Sequence, residues 1–182
     1  MIFNQHKDLQ GQHAFLSASK YAWVNYDLQR LDDVYSNWRA AQIGTEIHEV
    51  AAKLIKLGIR LPRNNKTLNM YVNDCIGFRM TPEVTLFYSI NAFGTADAIS
   101  FRKGQLKIFD LKTGKTPASI KQLEIYAALF CLEYNQDPHE IDIELRIYQS
   151  NEVLVHHPDP MDIVYIQDKI IDFDRRITEL DS

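Results

Sequence analysis

A mixed α/β fold with a central sheet is what this 182-residue sequence predicts. Three observations carry that reading. Helical-period segments dominate both ends of the chain. Between them, three short runs rich in β-branched and aromatic residues follow one another, separated by turn residues. A further helical segment then precedes a fourth such run. Hairpin-linked strands with one helical crossover imply a mixed sheet of four or five strands with helices on its faces.

Taken in order, "LSASKYAWVNYDLQRL" (16–31) opens with a serine that predicts a capped helix, followed by aromatics at helical spacing. "SNWRAAQIGTEIHEVAAKLIKLG" (36–58) has the strongest helical period, with Ile43, Ile47, Val50, Ala51, Leu54 and Ile55 on one stripe and Gly58 as the stop. "NKTLNMYVNDCIGFRM" (65–80) predicts a shorter helix. "EVTLFYSIN", "GTADAISFR" and "QLKIFDLKT" predict strands, with a hairpin turn at "KGQ" (103–105). "ASIKQLEIYAALFCLEYN" (118–135) returns to helical period, with Ile120, Leu123, Tyr126, Ala127 and Phe130 as its face. "IDIELRIYQ" and "EVLVHH" predict two more strands, and "MDIVYIQDKIIDFDRRITEL" (161–180) an amphipathic closing helix.

The length suits one domain over 1–182, large enough to bury a core. Apolar runs are short and broken by charge, so no membrane span is expected. The start, "MIFNQHKDLQGQH", lacks the layout of a secretory leader. Two cysteines, Cys75 and Cys131, are too few for a disulfide framework or a four-cysteine metal site, and a cytoplasmic, reducing compartment is expected. The net charge of −4 argues mildly against nucleic acid as a partner, but its distribution is uneven. Between Arg102 and Lys121, six basic residues face the single acid Asp110, a local surface able to steer a phosphate backbone.

Three ionisable residues stand where the strands should be most apolar. Asp97 interrupts the second strand, and Asp110 and Lys112 finish the third. Residues 110 and 112 share a side of their strand, and the turn near Gly104 folds Asp97 back alongside. Burying such charges costs several kcal/mol each (about that order) unless they pair or hold a metal. Two carboxylates suit Mg²⁺ with a substrate phosphate, and a lysine can orient water or offset transition-state charge. A buried Asp–Lys ion pair without catalysis is the competing reading.

"GTADAI" followed by "IFDLKTGK" resembles motifs II and III of the PD-(D/E)XK nuclease superfamily, specifically its RecB-like and phage-type exonuclease branch. "QLEIY" (122–126) is similar to that branch's Q-x-x-x-Y motif, "GTEIHEVA" (44–51) to its G-x-x-x-H motif, and "LSASKYAWVNY" more loosely to its opening Ser-x-Ser helix. The resemblance implies a restriction-endonuclease-like core and divalent-metal-dependent cleavage of single- or double-stranded DNA in exonuclease mode. It makes Asp97 and Asp110 metal ligands, Lys112 the catalytic lysine, His48 a further ligand and the Leu111 carbonyl a possible third. Imidazole beside two carboxylates admits Mn²⁺ as well as Mg²⁺. Gln122, Tyr126, Lys115, Ser19 and Lys20 are then the expected substrate contacts. Phage or prophage recombination is the implied setting, with a phage single-strand annealing or binding protein as a candidate partner and the oligomeric state open.

Relatives that carry an iron–sulfur cluster hold it with four cysteines; here the N-terminal place reads "NYDL" and no cysteine follows Cys131, so no cluster is expected. Rival functions are a non-catalytic nucleic-acid-binding or assembly protein of the same fold, an endonuclease, and an RNA nuclease. "TGKT" lacks the upstream glycine of a phosphate loop, since that position is Phe109. His156 and His157 are expected in an exposed loop, and Glu46 and Glu49 on the surface. Glu83 is weighed as an additional acid near the metals and not counted in the site.

Overall fold

The computed structural model describes residues 7–9 and 13–181. Most of the 1–13 stretch, on which the expectation of no leader rests, lies outside the described residues. Two compact units divide the chain, Met1–Ile43 and Gly44–Ser182.

In the N-terminal unit, the expected serine-capped helix is instead a kinked 3-10 segment, Ala18–Asn25, whose Ser17 makes no side-chain cap. The kink falls at Lys20 (φ −113°, ψ 55°). Trp23 Nε1 bonds the Ser17 carbonyl at 2.9 Å, which draws the segment into a tight loop rather than a regular helix. Phe15, Tyr35 and Trp38 form an aromatic cluster with ring centroids 5.1–5.5 Å apart. Helix α1 (Leu28–Leu57) starts in this unit and runs into the second.

The second unit is a five-stranded sheet in the order β1-β2-β3-β4-β5. The strands are β1 (Thr81–Ser89), β2 (Ala92–Arg102), β3 (Gln105–Leu111), β4 (Asp142–Gln149) and β5 (Glu152–His156). All neighbouring pairs are antiparallel except β3 and β4. That parallel pair is joined by the crossover through α3 (Lys121–Glu133). The expected turn at 103–105 and a second one between β4 and β5 both follow from backbone preference. Lys103 and Gly104 (φ 51° and 73°), like Ser150 and Asn151 (φ 51° and 62°), adopt the left-handed conformations of a type I′ hairpin.

Alternation along the strands feeds two apolar layers. Leu86, Leu106, Ile108, Leu145 and Ile147 face α3, whose Leu123, Ala127 and Phe130 complete the layer with Ile163 and Ile166 of α4 (Pro160–Leu180). Each large side chain buried there contributes about 1.5–3 kcal/mol. Asp159 caps α4 by accepting the Met161 amide at 2.8 Å, with Pro160 at the first helical position. On the opposite side Phe109, Leu111 and Tyr148 pack with Tyr71, Val72 and Cys75 of α2 (Thr67–Gly77) and with Ala51 and Ile55 of α1. The buried stripe of α1 is therefore Gly44, Ala51, Ala52 and Ile55, while Ile43 and Val50 are exposed. Four of the six residues expected on the stripe, Ile47, Ala51, Leu54 and Ile55, pack on the core, whereas Ile43 and Val50 turn to solvent and Gly44 and Ala52 are buried in addition.

Among the described residues no helix is long and apolar enough to cross a membrane.

Candidate active site

The site forms where two neighbouring strands part. β2 and β3 pair from Arg102↔Gln105 to Ala98↔Phe109. β3 continues for two residues against β4 alone, and the Lys112 amide prolongs that ladder by donating to the Tyr148 carbonyl at 2.9 Å. On the opposite edge, Leu111 N–H has no strand partner. Asp97 supplies one: its Oδ2 accepts that amide at 2.9 Å. A residue's N–H and C=O point to the same edge of an extended strand, so the Leu111 carbonyl faces the Asp97 side as well.

Asp110, one residue earlier, is 3% exposed. Its Oδ1 accepts from Lys112 Nζ at 3.3 Å, while Oδ2 lies 3.0 Å from the same ammonium without a hydrogen bond to it or to any described group. Burial, then the charge of Asp97, pushes the Asp110 carboxyl up to about 6, against the pull of Lys112. Gln122 Oε1 accepts from Lys112 Nζ at 2.9 Å, and Gln122 Nε2 donates to the Tyr126 hydroxyl at 3.0 Å. The chain Asp110–Lys112–Gln122–Tyr126 thus links the end of β3 to the first turns of α3.

His48 comes from α1. Its Nδ1 stands 3.3 Å from Asp97 Oδ2, and this contact raises the imidazole above its ordinary value despite partial burial. Two glycines permit these approaches. A Cβ on Gly44 would sit 2.7 Å from Thr113 Oγ1, directly after the Asp-Leu-Lys run, and a Cβ on Gly94 would sit 2.9 Å from Tyr126 Cε1. Small size, not a special φ, is what both positions require.

His48, Asp97, Asp110, Leu111, Lys112, Gln122 and Tyr126 are therefore brought together, as two abutting polar pairs with a relay behind them. Among the described residues, no group of three or more His, Cys, Asp and Glu side chains is gathered closely enough to hold a metal ion. The donor set nevertheless fits a hard divalent cation: two carboxylates, an imidazole, and a buried Asp110 oxygen that no hydrogen bond satisfies.

Within the second unit, Lys115 does not join this cluster. Lys115 borders a separate cleft with Gln149, Glu152 and Val153. Ser19 and Lys20 belong to the N-terminal unit; Ser19 Oγ lies 2.7 Å from Ser17 Oγ, and Lys20 lines a cavity of about 210 Å³ with Trp23, Tyr26 and Trp38. Glu83 lines the cavity of about 160 Å³ that contains His48 and Asp97, with its Oε2 3.0 Å from Lys56 Nζ. Glu46 and Glu49 are exposed.

Three placements went unread in the sequence. Thr95 lines the His48 cavity, as period-two alternation from Asp97 would have indicated. Exposed Phe93 and Phe87 continue that face toward the hairpin tip, their rings 6.4 Å apart. Glu124, inside the "QLEIY" run, is 4% exposed; it pairs with Lys121, and its Oε1 lies 3.2 Å from His156 Nε2. His156 is accordingly the last residue of β5 and not a loop residue, while the His157 ring is held 3.1 Å from the Ile143 carbonyl. Both cysteines are free and buried, and burial pushes the Cys131 thiol up to about 12 and raises that of Cys75.

Comparison with family models, with curated proteins and with solved structures gives no match to this chain.

Proposed function

We propose that this chain is a divalent-metal-dependent DNA nuclease with a restriction-endonuclease-like core, acting as an exonuclease. One observation carries the reading: Asp97, Asp110 and Lys112 meet at the point where β2 leaves β3, with His48 and Gln122 reaching the same point from two helices. An isolated Asp–Lys pair would need neither the second carboxylate nor the glutamine. The order of these residues along the chain also agrees with the motifs of the superfamily that the sequence resembles.

His48, Asp97, Asp110 and the Leu111 carbonyl would hold Mg²⁺ or Mn²⁺, which supplies an acidified water and neutralises phosphate charge. Lys112 then has a defined task. Its ammonium, fixed 2.9 Å from Gln122 Oε1 and 3.3 Å from Asp110 Oδ1, holds positive charge where the attacked phosphate gains negative charge, and it orients the incoming water. Gln122 keeps the lysine extended toward the strand end, and Tyr126 keeps the amide of Gln122 turned so that its oxygen faces the lysine.

The test is incubation of the full chain with end-labelled single- and double-stranded DNA, with and without Mg²⁺ or Mn²⁺. Cleavage that EDTA abolishes, and that Asp110→Asn and Lys112→Ala each reduce by orders of magnitude, supports the reading. Binding with no cleavage under any metal would replace it with the non-catalytic nucleic-acid-binding alternative.

A further inference from the structure

A cleft of the second unit lies at the other end of β3, where Gln105 is about 17 Å from Asp110 by strand rise. It encloses about 600 Å³ between the C-terminal end of α2 and the β2–β3 hairpin. Four cations line it: Arg79, Arg102, Lys103 and Lys107, with Ser100 and Gln105 between them. No carboxylate does.

The surrounding acids are already engaged. Glu144 binds Lys107 at 2.7 Å and Arg146 at 2.6 Å, Asp74 accepts from the Tyr148 hydroxyl at 2.7 Å, and Asp142 accepts from Gln105 Nε2 at 3.2 Å. Arg79, Arg102 and Lys103 have no side-chain partner among the described residues. Three unpaired cations thus share one concave surface of a chain whose net charge is −4.

The backbone of two of these residues adds a second, independent observation. α2 ends in a Schellman closure, with Met80 N–H bonding the Cys75 carbonyl and Arg79 N–H the Ile76 carbonyl. The residue in the left-handed position of this motif is usually glycine, yet here it is Arg79, at φ 54°. Lys103 likewise takes φ 51° in a turn that favours asparagine there. At both positions a cation stands where the fold by itself would favour another residue.

We infer that this cleft is a binding site for the sugar–phosphate backbone of a nucleic acid, distinct from the catalytic constellation. The identity of the polyanion rests on the nuclease reading, and 17 Å corresponds to about five base-pair steps of duplex along which the protein would grip its substrate. Arg79, Arg102 and Lys103 contact phosphates, while Ser100 and Gln105 supply neutral hydrogen-bonding groups between them.

The experiment measures binding of a labelled 30-base-pair duplex to the full chain in EDTA, across a salt series. The key variant is Arg79→Gly, Arg102→Gln, Lys103→Asn; its control is Lys169→Gln, Arg175→Gln, Arg176→Gln on α4, which removes equal charge elsewhere. The expected result is an affinity at least about tenfold lower for the cleft variant, with a log–log salt slope smaller by about 2–3. The control stays within about twofold of wild type. The cleft variant also melts at or above the wild-type temperature, because glycine and asparagine suit those two backbone positions. Loss of binding together with retained or increased stability is a combination that a merely structural role would not give.

Equal affinity and slope for wild type and cleft variant overturn the inference, as does an equal loss in the control or the absence of any wild-type binding. Tripolyphosphate that competes as well as duplex at equal charge would reassign the cleft to small anions and overturn it too. Cleavage with Mn²⁺ is scored separately. Cleft-dependent binding without cleavage sinks the nuclease reading alone, and cleavage with cleft-independent binding sinks this inference alone.

Discussion

Replacing Asp110 by asparagine should make the metal-free protein more stable at neutral pH, not less. The carboxyl sits 3% exposed beside the charge of Asp97, and its folded value is raised from 3.8 to about 6. A raised acid favours its protonated form in the folded state. Its contribution to stability is therefore full below the unfolded value near 4 and is lost as pH rises through about 6. A difference of this size corresponds to about 3 kcal/mol of strain borne at pH 7.5. Asparagine removes that strain while keeping an oxygen for Lys112, which also retains Gln122; a net gain of about 2 kcal/mol remains after the weaker lysine contact. For a chain of this length that is a rise of about 5 °C in Tm. The assay is thermal unfolding in EDTA at pH 7.5 and pH 4.5 for both proteins. Wild type should gain relative to the variant on acidification, and the difference should nearly close at pH 4.5. An unchanged or lowered Tm for folded Asp110→Asn at pH 7.5 would refute the view that Asp110 is held in a site that wants a cation.

Three further outcomes follow from the same geometry. His48→Ala should weaken metal affinity so that cleavage recovers only partly and at high Mn²⁺, with folding little changed; superimposable titration curves with a lowered Tm would reduce His48 to packing. Gly94→Ala forces a methyl to 2.9 Å from the Tyr126 ring and should cost about 1–3 kcal/mol in chemical unfolding, with turnover falling as the ring pulls Gln122 away from Lys112. Native protein should leave Ellman's reagent unreacted, because both thiols are buried and their values raised, whereas unfolding in urea should release two; the Cys75→Ser, Cys131→Ser double variant should keep its activity.

Much of this arrangement is legible in the residue pattern. Period-two runs located the strands, and the Lys103–Gly104 and Ser150–Asn151 turns sit where polar breakers separate them. Asp97, Asp110 and Lys112 stood out because charges in apolar strands demand a partner. What the pattern concealed are long-range consequences. Asp97 faces Leu111 because β2 pairs with β3 only from Ala98 onward, and no local preference encodes that limit. The buried stripe of α1 includes Gly44 because Thr113 needs the space, which hydrophobicity ranks as nothing. Glu124 is buried although it is an acid, and only its proximity to Lys121 and His156, the latter 32 positions away in sequence, makes that tolerable. The three unpaired cations of the cleft converge from the residues that follow α2 and from the β2–β3 hairpin, so Arg79 stands far in sequence from Arg102 and Lys103.

The bond from the Leu111 amide to Asp97 also gives the molecule a built-in spectroscopic reporter. Every other interior amide of β3 answers to a backbone carbonyl, whose charge never changes. This one answers to a carboxylate that His48 shares, whose surroundings would change directly with protonation of that imidazole, raised by the same contact, or with cation binding. In an amide-correlation NMR spectrum, the Leu111 signal should therefore move with pH and with added Mg²⁺, while those of Ile108 and Phe109 stay nearly still. A single buried proton, two residues further along the strand than Phe109, would record events at the site without a substrate or an altered side chain.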